Sequence, residues 1–294
     1  MLVISILVAT MCFGAERKYE KKLPAISGGK LTVNADGGSI RVVGTDSKEV
    51  SVIAMIRGRE RNVNEYHIEA FEGQHGVEIK GRGDDQSWFR LWDNRDIDVQ
   101  ISVSVPKEYN AFLNTSGGDI DITGLTGSMR GETSGGNIVI EDVNGGIAME
   151  TSGGDVRAQR VNGDVRMETS GGNITIAEVE GNVEVNTSGG DVRIVDVHGK
   201  VRAESSGGNI FVSIRNENKG IYAETSGGDI DIMLDGNIGA VVEASTSGGE
   251  VSCDLPVTMK GKFDDQRLKG NINGGGNPVH AHTSGGDVRI RTYE

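Results

Sequence analysis

Two rows of polar side chains recur through the middle of this 294-residue chain and are its candidates for chemistry. The first row follows a Gly-Gly pair and alternates between acid and amide, at Asp119, Asn137, Asp155, Asn173, Asp191, Asn209 and Asp229. The second row is mostly glutamate, at Glu132, Glu150, Glu168, Asn186, Glu204 and Glu224. Repeated oxygen ligands of this kind could bind sugar hydroxyls or cations such as Ca²⁺.

Both rows also have a structural interpretation. Carboxylates stacked on neighbouring strands repel one another, so replacing every second aspartate by asparagine relieves the repulsion. The glutamate row is interpreted as an exposed acidic face, with partial relief from Arg130, Arg166 and Arg202 two residues upstream. The nonapeptide calcium motif of other solenoids is absent from the sequence. We favour the structural interpretation for both rows, and predict no metal, no cofactor and no catalytic residue.

The element that must position these rows is the repeated tetrapeptide Thr-Ser-Gly-Gly. Its copies start at Thr115, Thr133, Thr151, Thr169 and Thr187, at Ser205 with one substitution, and at Thr225, Thr246 and Thr283. The first six starts share one period of about 18 residues, which indicates a repeat architecture. Short runs that alternate apolar and polar residues follow each copy and predict β-strands.

One such unit cannot bury its own apolar side chains, but units stacked about 4.8 Å apart can. The sequence therefore predicts an all-β fold: a single-stranded β-solenoid (β-helix) of about 18 residues per coil, with a less regular N-terminal β region and capped ends. Ile138, Ile174, Val192 and Ile210 share one repeat position and are predicted to point inward. The repeated threonines should point inward too, which argues against the outward threonine rows of an ice-binding solenoid.

The Gly-Gly pairs are predicted to form the corners of the coils. At Gly171 and Gly172 we expect at least one residue with φ > 0, because glycine adopts that conformation without steric cost.

The N-terminus predicts export. Residues 1–15 are apolar and uncharged and are followed directly by Glu16, Arg17 and Lys18, which is typical of a signal peptide cleaved near Gly14 or Ala15, although the usual basic segment is missing. Cys12 raises the alternative of lipidation, but the small residue that normally precedes a lipidated cysteine is replaced by methionine. Residues 1–15 are too short for a comfortable transmembrane helix, and no other segment could span a membrane.

The predicted domains are a signal peptide (1–15), an irregular N-terminal β region (16–95), a regular solenoid (96–254) and a C-terminal coil and cap (255–294). Residues 82–95 interrupt the pattern and contain both tryptophans. Trp88, Phe89 and Trp92 are interpreted either as a cap over the open end of the solenoid, which we favour, or as a loop that contacts a partner. If the chain binds a partner, they are the contact region that the sequence favours outside the coil faces.

Composition and motifs argue against several functions. The formal net charge of −13 makes nucleic acid a poor partner. The sequence has no G-x-S-x-G, P-loop or HExxH motif. The histidines share no spacing; they are His67, His75, His198, His280 and His282. We therefore predict that the chain is not an enzyme; the alternative, a β-helix polysaccharide lyase or hydrolase, requires a cluster of acids and bases on one coil.

The strand that ends at Val105-Pro106, the TSGG[DN][IV] units and the closing GGG and TSGGDVRI segments resemble the bacterial candidate-adhesin β-solenoid family, a domain family of unknown function. The resemblance covers nearly all of the chain after residue 15. It implies an exported, non-enzymatic β-solenoid of the periplasm, cell surface or medium, adhesin-like or a scaffold. Its partner would be an unknown envelope component, surface protein or glycan. The 82–95 loop has no counterpart in the family pattern.

Overall fold

The computed structural model describes residues 14–83, 97–259 and 264–293. The N-terminal region contains β1 (Ala15–Pro24), β2 (Lys30–Ala35), β3 (Ser39–Thr45), β4 (Glu49–Gly58), α1 (Glu60–Glu65), β5 (His67–Gly73), β6 (Gly76–Arg82) and β7 (Ile97–Pro106). The middle region contains β8 (Asn110–Thr115), β9 (Ile120–Thr123), β10 (Met129–Thr133), β11 (Ile138–Asn144), β12 (Ile147–Thr151), β13 (Val156–Asn162), β14 (Val165–Thr169), β15 (Ile174–Val179), β16 (Val183–Thr187), β17 (Val192–Val197), β18 (Val201–Ser205), β19 (Ile210–Ile214), β20 (Ile221–Thr225) and β21 (Ile230–Leu234). The C-terminal region contains β22 (Ala240–Thr246), β23 (Val251–Cys253), β24 (Val257–Met259), β25 (Arg267–Ile272), β26 (Asn277–Thr283) and β27 (Val288–Thr292).

The repeated sequence forms coils of two strands, one in each of two long sheets. In the middle of the stack, β11 pairs in parallel with β13 in the first sheet, and β12 pairs in parallel with β14 in the second. Ile138 lies opposite Val156, so equivalent repeat positions form straight columns along the stack. The described strands form one 13-stranded and one 14-stranded sheet, and the predicted all-β fold is confirmed.

The core lies between the two sheets. The strands alternate buried and more exposed residues, because successive side chains of a strand point to opposite faces. The predicted inward positions are confirmed, with Ile138 and Ile174 at 0% exposure and Val192 and Ile210 at 1%. Valine, isoleucine and alanine dominate this core.

The order of the coils in the stack differs from their order in the chain at both ends. The β2–β3 coil lies between the β8–β9 coil and strands β6 and β7. The β26–β27 coil lies between the β20–β21 coil and strands β22 and β23. Antiparallel pairs lie at the ends of the stack, between β1, β4 and β7 in the first sheet, between β5 and β6, and between β22, β25 and β24 in the second.

The Thr-Ser-Gly-Gly segments join neighbouring coils through buried hydrogen bonds. Thr151 is 2% exposed, and its hydroxyl donates to the carbonyl oxygen of Gly136, one coil away, at 2.9 Å. The same hydroxyl accepts from the N–H of Gly154 at 3.4 Å. The inward orientation predicted for the repeated threonines is confirmed, because their side chains are buried. These hydrogen bonds satisfy the hydroxyl groups inside the core.

The prediction of a positive φ at Gly171 or Gly172 is wrong, since neither glycine has one. Glycine is needed at Gly172 for a different reason: a Cβ there would lie 2.0 Å from the carbonyl oxygen of Gly154 in the next coil. Left-handed residues of the repeats occur elsewhere, at a position in the first sheet that the repeat pattern did not reveal. They include Asp142, Arg160, Glu178 and Asp196, which lie within strands and have φ between 53° and 56°, and Gly124 at the equivalent position with φ 71°.

Candidate functional site

A column of outward side chains runs along the exterior of the second sheet, one from each strand. Because the strands are in register, these residues lie side by side. We call them the central column; from the middle of the stack towards its C-terminal end they are Ala148, Arg166, Glu184, Arg202, Tyr222, His280 and Glu243.

The central column contains three stacked planar groups. The Arg202 guanidinium lies 4.3 Å from the centroid of the Tyr222 ring. The Tyr222 and His280 rings are stacked with centroids 4.9 Å apart and planes inclined by 13°. Since β18 and β26 flank β20 on opposite sides, both faces of the tyrosine ring are covered. A guanidinium over an aromatic face is favourable, and the stack therefore holds the three side chains in place.

The Tyr222 hydroxyl points to the carboxylate row rather than to open solvent. It donates a hydrogen bond to the Glu224 carboxylate two residues along the same strand. That hydrogen bond, together with desolvation, raises the pKa of the Tyr222 hydroxyl. The phenol is therefore held protonated, as a hydrogen-bond donor.

A groove runs beside the central column, parallel to the long axis of the stack. Its other wall, the outer ridge, consists of the residues Asp164, Asn182, Lys200, Lys219 and Pro278. The cavity volume is about 730 Å³. Its floor follows the strand starts at Val165, Val183, Val201 and Ile221. Because the groove crosses five successive coils, it is about 19 Å long. We call it the axial groove.

Side-chain to backbone hydrogen bonds fix the outer ridge. The Asp164 Oδ1 atom accepts from the backbone N–H of Asn182 at 2.8 Å, and the Asn182 Oδ1 atom accepts from the backbone N–H of Lys200 at 3.0 Å. Asp164 and Asn182 are thus each tied to the next coil. A wall held in this way is rigid, which lowers the entropic cost of ordering a binding site when a ligand arrives.

The charge of the axial groove differs in sign from that of the whole chain. Its lining has four cationic side chains, Arg166, Lys200, Arg202 and Lys219, and two acidic ones, Asp164 and Glu184, whereas the net charge of the chain is −13. Two of the cations are paired: Arg166 lies 2.6 Å from the Glu184 carboxylate, and Arg202 contacts Glu204.

The two lysines of the axial groove are less engaged. Lys219 lies 3.9 Å from Glu217. Within the ranges that the structure describes, Lys200 has no ion pair, and its side chain is exposed. These two side chains are the cations of the groove that are best placed to meet an incoming anion.

The alternating aspartate and asparagine row is part of the scaffold. The Asp155 Oδ1 atom accepts from the backbone N–H of Asn173 at 2.8 Å, and the Asn173 Oδ1 atom accepts from that of Asp191 at 2.9 Å. The same bond recurs between the other coils of the row. These contacts support the structural interpretation, because one oxygen of each side chain is already used in joining coils.

The glutamate row lies on the far side of the central column. Arg166 is 3.5 Å from the Glu168 carboxylate, so the relief expected from the upstream arginines is present at this position. Among residues 14–83, 97–259 and 264–293, no group of three or more histidine, cysteine, aspartate or glutamate side chains could hold a metal ion. The absence of a specific calcium site stays a prediction.

The interaction candidates Trp88, Phe89 and Trp92 lie outside the described residues, as does Cys12. Their roles as cap, contact loop or lipidation site therefore stay predictions. Within the described part of the chain, no helix has the length and hydropathy to cross a bilayer.

The stack of Arg202, Tyr222 and His280 was missed by sequence reasoning. Each of the three lies three residues before a Thr-Ser-Gly-Gly copy, or its Ser205 variant, and this shared offset indicates one column. What the offset does not reveal is adjacency. Tyr222 and His280 become neighbours only because β26 enters the second sheet beside β20. The longer interval between the copies at Thr246 and Thr283 was the available sign of a rearrangement.

Two mostly parallel sheets built from stacked coils define this protein as an all-β repeat protein. The model of the Toastrack DUF4097 family matches residues 29–291, and the chain belongs to that family. No curated protein matches the chain.

Several solved structures resemble the chain at low sequence identity. A candidate adhesin from Bacteroides fragilis is 14% identical, with 94% of this chain and 97% of that one covered and a TM-score of 0.45. A candidate adhesin from Parabacteroides distasonis is 12% identical with the same coverage and a TM-score of 0.44. A candidate lipid-binding protein from Parabacteroides distasonis is 15% identical, again with 94% and 97% covered, and has a TM-score of 0.41.

Proposed function

We propose that this chain is an exported, non-enzymatic β-solenoid of the bacterial cell envelope, adhesin-like or a scaffold, that binds a partner along the axial groove. The observation that carries the proposal is the groove itself, which crosses five coils of a rigid parallel stack. Concave sites lined by a few fixed polar groups are where proteins usually bind ligands.

The acidic side chains of the groove are already engaged by neighbouring coils, which favours binding over glycoside cleavage. A cleaving enzyme needs an acid or base free to transfer a proton to the substrate. Asp164 accepts from the backbone N–H of Asn182 at 2.8 Å, and Glu184 lies 2.6 Å from Arg166. A polysaccharide lyase or hydrolase remains the alternative.

Export and the domain boundaries belong to the same proposal. The apolar residues 1–15 act as the signal peptide, and the region 16–95, the solenoid 96–254 and the coil and cap 255–294 form the exported protein. Trp88, Phe89 and Trp92 would cover the open end of the stack or add a second contact region.

The test is a binding screen of the purified chain against glycan arrays and bacterial surface-protein fractions, with Tyr222→Ala as the groove variant. Phe211→Ala is a matched control, because Phe211 lies on the opposite sheet with the Arg193 guanidinium 4.4 Å from its ring centroid. We expect the groove variant to weaken binding about tenfold or more and the control to bind normally. Equal loss in both variants, or turnover of a bound glycan, would contradict the proposal.

A further inference from the structure

We propose that the ligand of the axial groove is a linear anionic polysaccharide, whose acidic groups pair with Lys200 and Lys219. This rests on the proposed binding function and adds the chemical class of the ligand. Three features of the groove carry it: its local charge, the positions of its cations and the way in which its aromatic side chains are arranged.

The local charge selects an anion. Against a net charge of −13, the groove concentrates four cationic side chains and two acidic ones. The acidic surroundings repel anions over distances up to the Debye length, about 8–10 Å at ordinary ionic strength. A bound anion must therefore contact the lysines directly, and the groove brings it within reach of them.

The positions of the cations suit a linear chain of acidic units. Lys200 and Lys219 lie on successive coils, with Gly220 opposite Lys200 and Lys219 one residue before it. The groove is about 19 Å long, so a polysaccharide that lies along it passes both lysines and can present acidic groups to each of them.

The aromatic arrangement favours recognition through charge and hydrogen bonds. Both faces of the Tyr222 ring are covered, by Arg202 and by His280. A sugar ring cannot stack on this tyrosine as it does on an open aromatic platform. The wall instead offers the edges of the stacked groups, and His280 is among the residues that line the groove. Neutral glycans would therefore bind weakly here.

The experiment uses isothermal titration calorimetry of the full chain with oligogalacturonate as the probe. The same oligomer with its carboxyl groups methyl-esterified is the neutral comparison. We expect saturable binding of oligogalacturonate that weakens as salt is added, and at least tenfold weaker binding of the ester. Absence of oligogalacturonate binding, or equal binding of the ester, would overturn the assignment.

A double variant localises the site. Lys200→Glu with Lys219→Glu should abolish binding, whereas Lys22→Glu with Lys48→Glu makes the same charge change at exposed positions elsewhere and should leave binding intact. Equal losses in the two double variants would mean that the probe responds to net charge and not to the groove, and would overturn the assignment.

Two further probes distinguish ligand classes. The probes are poly-glutamate and vesicles of phosphatidylglycerol. If either binds to the groove as tightly as oligogalacturonate does, the ligand is not specifically a polysaccharide.

A different outcome is that the screen identifies another partner, whose binding is lost in Tyr222→Ala and kept in Phe211→Ala. In that case the assignment of an anionic polysaccharide is wrong, while the proposed binding function stands.

Discussion

The buried hydroxyl of Thr169 donates a hydrogen bond to the carbonyl oxygen of Gly154, one coil away, at 3.0 Å. It also accepts from the Gly172 N–H at 3.2 Å. The strands supply most of the hydrogen bonds between coils, but at the corners the backbone has no strand partner. A small buried hydroxyl therefore completes the pairing at each turn of the stack.

This relationship predicts the effect of removing the hydroxyl alone. Thr169→Val keeps the shape of the side chain but leaves the Gly154 carbonyl and the Gly172 N–H without a partner, and should lower the free energy of unfolding by about 1–3 kcal/mol. Thr169→Ser is the control, because Ser205 occupies the equivalent position and donates to Gly190 at 3.1 Å. Urea denaturation measures both. A valine variant as stable as the serine variant would mean that the bond contributes little.

The two glycines of one corner should respond differently to alanine. A Cβ on Gly172 would lie 2.0 Å from the Gly154 carbonyl oxygen, whereas the nearest atom to a Cβ on Gly171 is 3.7 Å away. Gly172→Ala should therefore cost about 3 kcal/mol or more, since neither backbone can move freely. Gly171→Ala should change stability by about 0.5 kcal/mol or less. Thermal denaturation of the two variants gives the comparison. Similar melting temperatures would contradict the explanation that Gly172 is needed because two backbones approach closely.

The repeat was predictable because its causes are local. Alternating residues such as Ile138 and Ile140 fix the strand and its inward face, and the constant period fixes the register between coils. The insertion of β26 beside β20 was not predictable in this way, because it depends on which of several similar coil surfaces meet in the folded chain. The stack of Tyr222 on His280, and with it one wall of the axial groove, follows from that long-range pairing.

The role assigned to Gly172 shows a second limit of the sequence. Glycine satisfies two different demands, a positive φ and close backbone approach, and the sequence pattern is the same for both. Conversely, Asp142 and Arg160 adopt left-handed conformations although neither is a glycine. The backbone conformation and the packing between coils, which the sequence does not specify directly, decide which residues have a positive φ and which need close approach.

Truncation of one core side chain tests the packing of the stack. Ile174 is fully buried at the inward position shared by the coils, so Ile174→Ala should lower the free energy of unfolding by about 2–5 kcal/mol. Thr175→Ala, at the neighbouring outward position, should have a much smaller effect. Urea titration of both variants gives the comparison, and a loss under about 0.5 kcal/mol for the isoleucine variant would be incompatible with a tightly packed interior.

Two tryptophan variants test the predicted cap at residues 82–95. If Trp88 and Trp92 cover the end of the solenoid, as we favour, alanine at either position should lower the melting temperature and leave binding by the folded protein intact. If they contact a partner instead, binding should weaken while melting stays nearly unchanged, since tryptophan is enriched among binding hot spots. Melting and binding measured on the same samples separate the two models, and unchanged melting in both variants would contradict the cap.

The C-terminal coil gives the stack a specific sensitivity to acid. The Asp229 Oδ1 atom accepts from the backbone N–H of Asp287 at 2.8 Å, and Arg289 Nη1 lies 2.8 Å from its Oδ2 atom. The hydrogen bond from Asp287, followed by those from Arg289, lowers the pKa of Asp229 below its ordinary value of 3.8. A depressed folded pKa stabilises the protein above the unfolded pKa, and this contribution is lost as pH falls through the folded value.

Asp229→Asn isolates this effect, because an amide oxygen can still accept from Asp287 but does not ionise. Asn209 makes the same kind of bond to Asp229 itself at 2.8 Å. The variant should be less stable than the parent at pH 7, where the pairing with Arg289 is lost, and the difference should shrink between about pH 4 and pH 2. Urea midpoints across this range measure it, with Asp254→Asn at an exposed position as the control for net charge. A stability difference that stays constant with pH would mean that the ionisation of Asp229 does not contribute to holding the inserted coil in place.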